Sequence, residues 1–199
     1  MSNVKYQISN VKYKILFLII ILLLPLSCRR HSVPRPYGYF RITVPDTAYT
    51  PWHANTYPYA FNLSDNAVVK EHTASDERFW IDIHYPSINT DIHCSYKPVN
   101  GDLRALTDDA IEFVYKHSQI ASAIPEREYS NPDQHVYGVF FTLEGNTASP
   151  YQFFLTDSTR HFFRGAVYCN CKPNADSLAP VFDYMLTDVE KLIESFQWR

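Results

Sequence analysis

Two short runs, Ile81-Asp-Ile-His84 and Asp91-Ile-His-Cys94, alternate apolar and charged residues with a period of two. Only an extended strand sends such neighbours to opposite faces, and a strand with one apolar face must lay that face on a core. Ile81, Ile83, Ile92 and Cys94 mark the buried side, and Asp82, His84, Asp91 and His93 the other. With Pro86-Ser-Ile-Asn89 between them, Arg78–Tyr85 and Thr90–Tyr96 read as a hairpin. If Asp82 faces His93, then His84 faces Asp91; alternation fixes the parity of this register but not its offset. The cluster has zinc-ligand chemistry. The simpler reading needs no metal, since opposite charges across strands stabilise a sheet face by a few tenths to ~1 kcal/mol. Neither a metal site nor a cofactor is expected.

Elsewhere, Tyr39–Val44 reads as a strand stopped by Pro45, and the segment to Tyr59, with Pro51, Trp52 and Pro58, as a loop. Ala60–Leu63 is a brief pairing segment. Asp102 is the expected cap of a helix over residues 103–117, with the stripe Leu103, Leu106, Ala110, Phe113, Val114 and His117. Beyond Pro125, Val136–Glu144, Tyr151–Thr156 and His161–Cys169 read as strands turning at Gly145-Asn146 and Asp157-Ser158-Thr159. A final helix is capped by Ser177 or Asp176 and has Pro180 in its first turn. One face of it carries Phe182, Met185, Leu186, Val189, Leu192, Ile193 and Phe196. The aromatic content, 15 Tyr and 13 Phe against 5 Gly, suits a β-rich core. The fold class expected is α+β: an antiparallel sheet flanked by two amphipathic helices.

The chain begins with a basic tandem leader, Asn3-Val-Lys-Tyr6 and Asn10-Val-Lys-Tyr13, which runs into the apolar block Ile15–Leu26 and ends at Ser27-Cys28. This is the pattern of a secretory signal ending in a lipid-anchor site. The block falls short of the roughly 20 residues a spanning helix needs. Residues 1–27 therefore read as signal peptide, 28–36 as a basic Pro-rich tether, and 37–199 as a single α+β domain. A formal net charge of −3 provides no basic field for nucleic acid. With Cys28 lipidated, Cys94, Cys169 and Cys171 are left, an odd number that excludes a disulfide scaffold. Cys169 and Cys171 are expected on one strand face with Phe163 and Val167, and free thiols are favoured over a bridge from Cys94. Asp157, Ser158 and His161 carry hydrolase residue types, but as neighbours in a turn they read as turn chemistry. No catalytic residue is assigned.

Several stretches resemble one family: Gly38-Tyr-Phe-Arg-Ile42, Ser95-Tyr-Lys-Pro-Val99, Val114-Tyr-Lys-His-Ser118, the long run from Gly145 through Phe153 to Ala166, and Pro173–Pro180. Together they are similar to the gliding-motility lipoprotein D (GldD-type) family over essentially the whole domain. The element order also resembles the Mog1/PsbP-like sandwich, an analogy of fold alone. The family resemblance implies a lipoprotein needed for surface gliding in bacteria that use type IX secretion, with no assigned enzymatic activity. It implies partners among envelope proteins of that assembly, besides the membrane holding the anchor. The basic Arg29-Arg30-His31 after Cys28 points to a periplasm-facing position. The alternative is a small-ligand-binding envelope lipoprotein with a pocket between the terminal helix and the sheet. A partner surface is expected at the late turns, on Gly145, Asn146, Thr159 and Arg160.

Lipidation is the first testable consequence. Radiolabelled palmitate is expected to enter the native chain and not Cys28→Ser, because two or more acyl chains give the stable attachment one chain does not. Equal labelling of both would remove the anchor from Cys28.

Overall fold

Alternation carries through most of the chain, and it builds one long sheet. The computed structural model describes residues 44–73, 78–116 and 121–199. The leader, Cys28, the tether, most of the expected strand at Tyr39–Val44 and residue His117 lie outside the described residues; Val44 itself is not in a strand. The strands are β1 Tyr49–Trp52, β2 Tyr59–Ser64, β3 Val68–Glu71, β4 Ile81–Tyr85, β5 Thr90–Pro98, β6 Ala121–Ala123, β7 Glu126–Asn131, β8 Val136–Thr142, β9 Glu144–Gly145, β10 Tyr151–Thr156, β11 His161–Cys169 and β12 Gln197–Trp198. The helices are α1 Leu103–Lys116 and α2 Ala175–Glu194. Seven strands form an antiparallel sheet in the order β3-β4-β5-β11-β10-β8-β7, beside a three-stranded sheet β1-β2-β12. The architecture is the expected α+β: antiparallel sheets with, among the described residues, two α-helices.

The hairpin register is the one its alternation allowed, with Asp82 opposite His93 and His84 opposite Asp91. Its turn is a single 3-10 turn, Pro86–Ile88, closed by left-handed Asn89. The β7–β8 hairpin repeats the device with Pro132–Gln134 and left-handed His135. On the inner face of the large sheet, Ile81, Ile83, Ile92, Phe153, Leu155 and Phe163 meet α2 through Val181, Met185, Val189 and Leu192. Tyr59 and Phe61 of the small sheet and Phe196 complete this core, stacked with ring centroids 5.8–6.4 Å apart. A second cluster on the outer face joins Leu106, Ala110 and Val114 of α1 to Phe141, Phe154 and Phe162. Both clusters lie within the compact unit of residues 40–199.

Several expectations need correction. Pro51 sits inside strand β1, not in a loop; it is tolerated because β1 is an edge whose outer side owes no ladder bonds. The hairpin strand begins at Ile81 and not Arg78, because Phe79 takes a left-handed φ of 66° and bends the chain there. Its carbonyl accepts the buried Tyr59 hydroxyl at 2.6 Å. The strand expected over Val136–Glu144 breaks at Leu143 into β8 and β9. Strand β7, Glu-Arg-Glu-Tyr-Ser-Asn, gave no apolar alternation because it is an edge strand exposed over most of its length. The Asn174 side chain caps α2 by accepting the Ser177 N–H, so neither Ser177 nor Asp176 is the cap. Pro180 consequently falls in the second turn, where its missing N–H costs a helix bond. Asp102 opens α1 through its carbonyl, which accepts the Leu106 N–H, while its carboxylate accepts the N–H of Asn100. Phe113 is 48% exposed, outside the buried part of the expected stripe.

Gly138 supplies a sharp test of the packing. A Cβ there would stand 2.0 Å from the Phe154 carbonyl oxygen, a backbone atom that cannot swing aside. Gly138→Ala is expected to lower stability by about 1–3 kcal/mol in urea melts. An unchanged midpoint would show that β8 and β10 do not pair this closely.

Candidate functional site

The outer sheet face carries the polar chemistry. Alternation of β4, β5 and β11 aims Asp82, His84, Asp91, His93, Ser95, Lys97 and Arg164 away from the core. His93 Nδ1 donates to Asp82 Oδ1 at 2.7 Å, and His72 Nε2 to the other oxygen at 3.0 Å. Burial would raise the Asp82 carboxyl, but the bonds from His93 and His72 outweigh it and hold the group below its ordinary range. His84 Nδ1 donates to Asp91 Oδ1 at 2.6 Å, and Asn170 Nδ2 donates to the second Asp91 oxygen. His72, from the end of β3, is the member that alternation within the hairpin could not reveal. Among the described residues, no three His, Cys, Asp or Glu side chains gather as a metal site.

Helix α1 covers β10 and β11. Between its exposed edge and the sheet lies a half-open groove of about 430 Å³. Trp80, Leu106, Phe113 and Phe162 supply its apolar walls, and Arg164, Lys97 and the Asp82 cluster its polar ones. Between the terminal helix and the sheet, α2 fills the inner face with Leu178, Val181, Met185 and Val189, and what remains is an open cleft of about 310 Å³ at its edge, between Glu190, Ile193 and Glu194 of α2 and Arg127, Tyr129 and Phe140 of the sheet. Arg164 reaches across the floor of the groove. Its Nη2 donates to Gln152 Oε1 at 2.6 Å, and its guanidinium lies 5.0 Å from the Phe113 ring centroid. Burial lowers its pKa, though it remains a cation.

On the other side of the sheet, Asp188 of α2 is buried and accepts the Tyr49 hydroxyl at 2.5 Å. Its Oδ2 makes no bond of good geometry, although the hydroxyls of Tyr85, Ser64 and Tyr184 surround it. Burial raises the Asp188 carboxyl, and those hydroxyls partly offset it. The raised pKa means that this group favours the folded state least once pH has risen through it.

The expected partner surface does not form one patch. Its two turns flank the six residues of β10 at opposite ends, roughly 17 Å apart at the usual strand rise. The first turn is packed as well. Thr147 and Ser149 are buried, the Ala148 carbonyl accepts the Cys169 N–H, and Asn146 Oδ1 accepts the Ala175 N–H at the start of α2. Gly145 has a φ of 105°, which a side chain would strain. Gly145 and Asn146 thus have structural duties, which account for that half of the resemblance. In the second turn, Asp157 Oδ1 accepts the N–H groups of Thr159, Arg160 and His161, and Oδ2 accepts the Thr159 hydroxyl. Burial opposes ionisation of this carboxyl, yet the backbone donors hold it at about 2. Ser158 occupies the left-handed region at φ 68°. His161 stacks on Trp198 and its Nδ1 meets the Tyr96 hydroxyl at 2.7 Å. This is turn and packing chemistry, as read from the sequence.

The thiols are free, but the expected shared face is not observed. β11 ends at Cys169, and Cys171 lies beyond it, exposed. Cys94 pairs with Gly165, four residues from Cys169, so the two buried thiols stand about 13 Å apart along the strands. That exceeds disulfide reach.

These features define an α+β domain on one long antiparallel sheet, with a closed aromatic core on one face and open polar chemistry on the other. The family model described as gliding motility lipoprotein GldD matches residues 29–198, and the chain belongs to that family. This places it among membrane-anchored lipoproteins of the envelope. No curated protein matches it. The solution structure of cyanobacterial PsbP (CyanoP) from Synechocystis sp. PCC 6803 is similar at a TM-score of 0.48 and 13% identity, covering 82% of this chain and 99% of that one.

The Asp157 turn has a pH signature. A carboxyl whose folded pKa is depressed stabilises the fold above its unfolded pKa and loses that contribution as pH falls through the folded one. Asp157→Ala is expected to cost about 1–2 kcal/mol at pH 7, with the gap to the native chain closing as pH falls from about 4 towards 2. A gap independent of pH would show that the ionised carboxylate does not hold the turn.

Proposed function

We propose that the chain is a non-catalytic, periplasm-facing component of the gliding and type IX secretion assembly, held to its membrane by a lipid on Cys28. The supporting observation is the family match over residues 29–198, which spans the described domain up to its last residue but one. The chemistry of the polar clusters is consistent with this reading. The Asp157 carboxylate is engaged by its own turn, Asp188 by tyrosines, and Asp82 and Asp91 by histidines. The basic Arg29-Arg30-His31 beside the lipidation site supports a periplasmic orientation.

The partner surface is assigned to the Asp157–Arg160 turn alone, where Arg160 has an 80% exposed side chain on a rigid Asp-centred loop. A strain carrying Thr159→Ala with Arg160→Ala and a tag after Arg199 tests this. The expected outcome is a folded, membrane-anchored chain that no longer supports spreading or secretion and loses its cross-linked partner. Normal spreading with the same captured partners would exclude this turn as the contact surface.

A further inference from the structure

The groove beneath α1 contains more hydrogen-bond donors than acceptors. Arg164 carries five N–H donors, and its polar contact among the described residues is the one bond to Gln152. No carboxylate of the described residues forms an ion pair with it. Gln152 is fully buried, and its Nε2 has no partner. A guanidinium partly withdrawn from water, with no carboxylate of the described residues paired to it, favours an anionic partner, and buried donors such as Gln152 Nε2 are ordinarily satisfied. The missing partner should therefore be an acceptor with two oxygens in one plane, matching the guanidinium fork.

Around this point the walls are Trp80, Leu106, Phe113 and Phe162, which accept an apolar body. The amide groups of a peptide would lose water there without gaining partners, whereas an aliphatic chain has none to lose. The exposed carboxylate of Asp109 lies at the rim, and Asp82 already holds two histidines. Both disfavour a second negative charge on the occupant. We infer that the groove between α1 and the outer sheet face is a binding site for a linear aliphatic monocarboxylate, with its carboxylate on Arg164 and its chain along Trp80 and Phe113. This inference does not depend on the assembly reading.

The test uses residues 40–199, the unit that contains both cores, with dodecanoate enriched in ¹³C at its carboxyl. Calorimetry is expected to show saturable one-to-one binding. The bound carboxyl should titrate at lower pH than the free acid, because the guanidinium favours its ionised form. Arg164→Met should weaken binding roughly tenfold or more and abolish that downward displacement. Dodecanol and dodecyl phosphate should compete poorly. Phe113→Ala, at a half-exposed position that the fold does not need, should weaken binding several-fold and decides the question if Arg164→Met does not fold. The inference is overturned by absent saturation, by equal affinity in a folded Arg164→Met, by an unshifted carboxyl titration, by dodecanol binding equally well, or by Phe113→Ala binding like the native domain.

Discussion

The β5–β11 pairing is the constraint on which the rest of the molecule depends. Nine residue pairs run from His161 opposite Pro98 to Cys169 opposite Thr90. They join segments about seventy residues apart, so loop closure is costly and many ladder bonds must form together to offset it. Once formed, this seam determines which face every other strand presents. It sets Gly165 opposite Cys94, where the Phe153 ring fills the space a side chain would take. It also sets Arg164 opposite Ser95 and Ala166 opposite His93, which brings the late strands up to the Asp–His hairpin.

The two faces of that seam have different chemistry for a packing reason. The inner face is covered twice, by α2 and by the small sheet, and its aromatic rings close over one another. Among the described residues the outer face has one helix, of 14 residues, too short to cover the whole seven-stranded sheet. Its uncovered part is polar, with Asp82 and Asp91 each held by histidine; its covered part is aromatic. The groove is the boundary between the two regimes, and Arg164 lies on it.

Polar groups fasten α2 along its length. Asn146 and Asn174 bond its first turn, Asp188 meets the tyrosines of β1 and β4, and the Ser195 hydroxyl accepts the Asn62 N–H of β2. These contacts explain why the segment Gly145–Pro150, which reads as a loop tip, behaves as part of the core. A polar residue in a turn is free for recognition only when no backbone donor or acceptor nearby needs it.

Local periodicity alone determined the hairpin, the parity that puts Asp82, His84, Asp91 and His93 on one face, both helix spans to within a few residues, and the α+β class. Each follows from contacts between near neighbours, whose geometry the backbone period dictates. The Asp157 turn was legible for the same reason, since a carboxylate bonding the next few N–H groups needs nothing distant. Strand β7 and the Pro51 strand were not legible, because an edge strand buries too little to require alternation. The joining of His72 to Asp82, the isolation of Arg164 over Gln152 and the groove itself arise only when α1 is laid on a sheet whose strand order is not sequential. Tertiary structure decided these because they depend on how far a helix reaches across a face, and no local pattern encodes that distance.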